Sequence, residues 1–117
     1  VARVLVTEEI AERGLERLRA AGHEVDVRLG LNGDALIAAL QGAQALIVRS
    51  ATNVDATVFD AVGGLLVVGR AGVGLDNVDV EAATRAGVMV ANAPESNIVS
   101  AAEHTIALLL AMARNVP

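Results

Sequence analysis

Five short, mostly β-branched runs recur along the chain, at 4–6, 25–27 (interrupted by Asp26), 46–48, 65–68 and 88–90. Runs that are apolar on both faces read as strands of a buried parallel sheet. Between them the apolar period becomes that of a helix. Residues 8–21 put Ile10, Leu15 and Leu18 on one side and the Glu9/Arg13 and Glu16/Arg19 pairs on the other, before Gly22 ends the segment. Further helices are predicted at 34–40 before Gly42, at 55–62 behind an Asp55 N-cap, and at 79–86 before Gly87. Strands alternating with helices need right-handed crossovers, so the chain predicts an α/β fold with a doubly wound parallel sheet.

For five strands at this length, a flavodoxin-like order 2-1-3-4-5 is expected. The last unit differs from the others. Ser100-Ala101-Ala102-Glu103 fits a capping box that starts a helix, and residues 106–113 continue it with apolar side chains on every face. One small sheet cannot bury such a helix all round. Either it is simply an Ala/Leu-rich terminal helix, or a second domain or subunit covers its outer face.

Composition removes several classes of function. A length of 117 residues suits one domain with its own core. The chain has no Cys, which excludes disulfide scaffolds, thiolate metal sites and Cys nucleophiles. It carries 9 basic and 14 acidic side chains, a balance unsuited to general nucleic-acid binding. Phe59 is its sole aromatic residue, so stacking platforms for bases or a flavin are missing. The longest apolar run, 106–113, falls short of the ~20 residues that cross a bilayer. No signal peptide is legible, and the chain does not begin with Met, which suggests processing or excision from a longer polypeptide.

In an open α/β sheet, ligands bind beyond the carboxyl ends of the strands. Those ends are Thr7-Glu8, Arg49-Ser50-Ala51-Thr52, the run from Arg70 to Gly74, and the run from Asn92 to Asn97. Strands 3 and 4 are neighbours in the expected order, which brings Arg49 and Arg70 to one rim. Two planar guanidiniums beside Ser50, with Gly72 and Gly74 allowing close backbone approach, form a candidate site for a phosphate or carboxylate. Alternatively, each Arg pairs with an acid such as Asp76 or faces water. Gly69, Gly72 and Gly74 do not make a dinucleotide fingerprint, because the spacing is reversed and the run follows strand 4. Without Lys there is no P-loop. A phosphoacceptor receiver is also excluded, since Arg49 stands where strand 3 would end in Asp. His23 is expected at the surface on the wrong edge of the sheet, and His104 in the first turn of the last helix. Neither is assigned as a catalytic base.

Three blocks are distinctive in combination: residues 46–52 (LIVRSAT), residues 68–79 (VGRAGVGLDNVD), and Asn92-Ala93-Pro94 with Ser96-Asn97 and residues 100–103. Together they closely resemble the NAD-dependent D-2-hydroxyacid dehydrogenase family, from strand 1 to Pro117. The resemblance implies that residues 1–99 are a flavodoxin-like substrate-binding domain and that residues 100–117 form a helix crossing to an NAD-binding domain outside this chain. It further implies that Arg49 and Arg70 meet a substrate phosphate with Ser50 nearby. The N–H groups around Val73 and Gly74, beside Gly72, would hold the substrate carboxylate. Val73 would also approach the nicotinamide of NAD, and Asn97 would line the hinge. The family's dinucleotide fingerprint and catalytic His, Glu and Arg lie downstream, so no catalytic residue is expected here. The implied reaction is the NAD-linked interconversion of 3-phospho-D-glycerate and 3-phosphooxypyruvate, opening serine synthesis in the cytoplasm, with this chain inactive alone. Two alternatives stand beside it. One is a lobe for a non-phosphorylated hydroxy acid. The other is a non-enzymatic module that forms homo-oligomers or recruits a partner through its apolar last helix.

Overall fold

The computed structural model describes residues 2–71 and 74–93. Its elements run β1 (Arg3–Val6), α1 (Glu12–Ala20), β2 (Glu24–Val27), α2 (Gly33–Leu40), β3 (Ala45–Val48), α3 (Ala56–Ala61), β4 (Val67–Ala71), α4 (Val80–Arg85) and β5 (Met89–Ala93). The strands form one parallel sheet in the order β2-β1-β3-β4-β5. This is the flavodoxin-like topology expected from the alternation of periods.

Strand pleating sends successive side chains to opposite faces, and the core divides accordingly. Val4, Val6, Ala45, Ile47 and Val67 pack under Leu15 and Leu18 of α1. Leu5, Leu46, Val48 and Val68 pack on the other face, under α2, α3 and α4 through Leu36, Leu40, Phe59 and Ala83. Helices on both faces explain why β3 is apolar throughout and why β1 and β4 are apolar over Val4–Val6 and Val67–Val68.

Local chemistry sets the element ends. The Asp55 carboxylate accepts the Val58 N–H at 3.2 Å, and Asp79 accepts that of Ala82 at 3.0 Å, so both helices start on a side-chain cap. Gly22 (φ 90°) and Gly87 (φ 74°) follow α1 and α4 in the left-handed region.

Three features differ from expectation. The first helix begins at Glu12 rather than at residue 8, because Glu8 is engaged by the loop after β3. β4 runs to Ala71 rather than ending at Val68, since pairing with β5 carries it through Gly69 and Arg70. β2 is not buried on both faces: it is an edge strand with Val27 41% exposed, and its Asp26 binds Arg3 and Arg28. Charges on an edge strand discourage pairing with another chain. The predicted helix from Ser100 lies outside the described residues. No described helix is long and apolar enough to cross a membrane.

Candidate anion site at the carboxyl rim

The segment 49–54 crosses the rim between β3 and α3, and three side chains from distant parts of the chain hold it. The Glu8 carboxylate, just past β1, accepts the backbone N–H groups of Arg49, of Ala51 at 2.9 Å and of Thr52 at 3.2 Å. Asn32, at the start of α2, accepts the Asn53 N–H at 2.7 Å and donates to the Ala51 carbonyl at 3.3 Å. Asn77, between β4 and α4, donates its amide to the carbonyl oxygens of Arg49 and Thr52. Beneath them the buried hydroxyls of Thr7 and Thr52 meet at 2.8 Å. A parallel bridge between Val54 and Val78 ties the loop to the β4–α4 connection.

Burial by itself pushes the Glu8 carboxyl up. The N–H donors of Ala51, Arg49 and Thr52 outweigh it and hold the group below its ordinary value. Glu8 is therefore a carboxylate at neutral pH, occupying backbone donors at the β1/β3 switch point.

Arg49 and Arg70 both reach the rim, each half-buried, and the register defines how. Val48 pairs with Arg70, and Arg70 pairs with Asn92. Arg70 thus shares a face with Val48 and Val68, on the side of α2, α3 and α4. Its Nε donates to Asn77 Oδ1 at 2.9 Å. Arg49 follows Val48 and turns the other way, its guanidinium 3.4 Å from the Glu9 carbonyl. There it borders a hollow of about 620 Å³ whose lining mixes apolar Val6, Ile10 and Leu15 with the acids Glu8, Glu9 and Glu12, and a smaller one of about 320 Å³ beside Thr7, Glu8 and Asn32. The two guanidiniums flank the sheet end from opposite sides. Ser50 is exposed between them in sequence, and Gly74 is half-buried. Asp76 does not take Arg70. Its carboxylate lies against Gly74, 3.4 Å from where a Cβ would stand. Gly72, Val73 and Asn97 fall outside the described residues.

His23 is buried rather than at the surface. Its Nδ1 accepts the Ala2 N–H at 3.2 Å, and its Nε2 has no partner among the described residues. It stands at the amino end of β2, away from the rim. His104 lies outside the described residues. Among the described residues no cluster of His, Cys, Asp and Glu could hold a metal ion. The β1–α1 connection, Thr7 to Ala11, has no glycine and carries two acids, so it does not fit a dinucleotide pyrophosphate.

Sequence reasoning missed Glu8, Asn32 and Asn77 as organisers of the rim. Asn77 lies 25 and 28 residues from the carbonyls it binds, beyond any local period. The signal available was position: polar side chains immediately after β1 and after the glycine-rich run.

A flavodoxin-like sheet with arginines at adjacent strand ends has the donors that a small anion requires. Residues 4–114 match the family model for the D-isomer specific 2-hydroxyacid dehydrogenase catalytic domain, and the chain belongs to that family. It is 48% identical over 115 residues to the D-3-phosphoglycerate dehydrogenase of Archaeoglobus fulgidus, covering 98% of this chain and 22% of that protein. It is 54% identical over 116 residues to the enzyme of the same name from Mycobacterium tuberculosis, covering 97% and 21%. Among solved structures, the NAD+-bound 3-phosphoglycerate dehydrogenase of Entamoeba histolytica superposes with a TM-score of 0.70 at 30% identity, covering 78% of this chain and 32% of that one. The chain spans about a fifth of the length of the curated relatives it matches.

Proposed function

We propose that this chain is the substrate-binding lobe of an NAD-dependent 3-phosphoglycerate dehydrogenase, which interconverts 3-phospho-D-glycerate and 3-phosphooxypyruvate in cytoplasmic serine synthesis. Residues 1–99 form the lobe, and residues 100–117 lead to a separate NAD-binding domain. The observation that carries the reading is the pair Arg49 and Arg70 at the carboxyl ends of neighbouring strands, joined through Asn77. In the proposal the two guanidiniums, which leave the sheet end from opposite faces, curl over the rim to meet the substrate phosphate from either side, with the Ser50 hydroxyl as a further donor. The N–H groups at Gly72, Val73 and Gly74 take the carboxylate, Val73 borders the nicotinamide, and Asn97 lines the hinge. NAD supplies hydride acceptance when bound to the other domain. The described residues offer it no pyrophosphate site, so the lobe's own part is to bind and orient the acid.

The test is titration calorimetry of the chain with 3-phosphoglycerate and with D-glycerate, which lacks the phosphate. The phosphorylated ligand is expected to bind at least about tenfold more tightly, a difference of one charge-assisted contact or more. The Arg49→Ala, Arg70→Ala double variant is expected to lose that preference. A double variant that binds 3-phosphoglycerate unchanged would remove the basis of the proposal. The chain alone is also expected to show no turnover with NAD. Sedimentation at several concentrations tests self-association through residues 106–113.

A further inference from the structure

We infer that Asn77 is a positioning residue that sets the two arginine-bearing rims in register, so that substrate phosphate affinity depends on a carboxamide that never touches the substrate. The inference rests on the proposed phosphate role of Arg49 and Arg70. Its geometry stands without it. One side chain uses both ends of its amide across two loops. The Nδ2 group donates both hydrogens, to the carbonyl oxygens of Arg49 and Thr52, the second at 2.7 Å. The Oδ1 atom accepts the Arg70 Nε–H at 2.9 Å.

The consequence for each arginine is distinct. For Arg49, Asn77 grips the backbone carbonyl, opposite the N–H that Glu8 holds. That peptide segment is clamped from both sides. For Arg70, the contact is to the guanidinium itself. A planar guanidinium held at Nε has its plane fixed, and the end-on donor edge formed by its two terminal nitrogens then keeps one direction. An arginine held in one plane loses less rotamer freedom when it meets an anion, and that saving appears as affinity.

The amide is suited to this and its near neighbours in shape are not. Asp has two acceptors and no donor, so Asn77→Asp keeps the Arg70 contact and places a carboxylate against two carbonyl oxygens. Leu matches the volume but supplies neither end. Asn77 is half-buried in contact with the loops it joins, and its backbone carbonyl also accepts the Val54 N–H at 2.8 Å. That backbone bond and the Val54–Val78 bridge survive substitution of the side chain. The chain path is therefore expected to persist in Asn77 variants while the arginines lose their alignment.

The test is steady-state kinetics in the complete enzyme that carries this lobe, with 3-phosphoglycerate and with a non-phosphorylated 2-hydroxy acid. Asn77→Ala is expected to raise KM for 3-phosphoglycerate about tenfold, with kcat within about twofold and KM for the non-phosphorylated acid little changed. Asn77→Asp, which preserves size, is expected to raise the same KM, and serves if the alanine variant unfolds. In an Arg70→Ala background, Asn77→Ala is expected to add less than about threefold, because the part of its effect that runs through Arg70 is already gone and only the hold on the Arg49 segment remains to be lost. A purely architectural role would instead lower kcat for both substrates alike. If Arg70→Ala raises KM but neither Asn77 variant does, the positioning role is overturned and the proposed phosphate site stands. If Arg49→Ala and Arg70→Ala both leave KM unchanged, the phosphate site is wrong and the inference falls with it.

Discussion

Replacing Glu8 by Ala removes the acceptor for three backbone N–H groups at once. Hydrogen bonds to a charged partner contribute about 1.5–3 kcal/mol each when well buried. Glu8 is only half-buried, so screening and water weaken each bond here. Water can reach the freed donor of Ala51, which is exposed, but Thr52 is only 1% exposed and its N–H has no ready substitute. A net loss of about 2–3 kcal/mol follows, and with a urea slope of about 1–3 kcal/mol/M the midpoint should fall by about 1–2 M. Glu8→Gln keeps the shape and one acceptor oxygen and is expected to lose about half as much. The pH dependence carries a second signature. Because the Glu8 carboxyl is held below its ordinary value, the unfolded chain takes up the proton first as pH falls. Its contribution is whole above an unfolded-state value of about 4.3 and is lost as pH falls through the folded value. Glu8→Gln should flatten that part of the stability curve. Midpoints for both variants within about 0.2 M of the wild type at pH 7 would refute the clamp.

Other perturbations follow from the same geometry. Gly87→Ala places a Cβ at φ 74° with open space around it, so backbone strain alone is expected to cost about 1–2 kcal/mol, read as a lowered Tm. Phe59→Ala empties the core under α3, where Phe59 is 3% exposed, and is expected to destabilise by about 3–5 kcal/mol in urea unfolding. Burial holds the His23 imidazole below its ordinary value, so the unfolded chain protonates first as pH drops below about 6.5. Stability should therefore decline from that pH downward until the folded value is reached, and His23→Asn should remove the slope, as followed by unfolding between pH 7 and 5.

The fold was legible because its signals are local. The short apolar runs, the glycines after α1, α2 and α4, and the Asp55 cap each lie within a few residues of what they control. The α1 start was not legible, because Glu8 is as good a helix former as Glu12 and was captured by a loop 41 to 44 residues away. The sheet order brings Arg49 and Arg70 to one rim, but only the register of Val48 against Arg70 reveals that they leave from opposite faces. A one-residue slip in that register would reverse it, and the sequence does not state the register. Asn77 and Asn32 were hidden for the same reason as Glu8: their partners are distant, and a polar residue in a loop has no periodicity.

The central claim is that the guanidiniums of Arg49 and Arg70 receive the phosphate of a small hydroxy acid. All 9 basic side chains of the chain are arginines, so the guanidinium Nε–Hε region of an NMR spectrum reports every basic side chain with no lysine beside it. Titration with 3-phosphoglycerate should shift the Arg49 and Arg70 signals, leave those of Arg13, Arg17 and Arg85 in place, and produce smaller shifts with D-glycerate. Equal small shifts across all nine arginines, or none at Arg49 and Arg70, would contradict it.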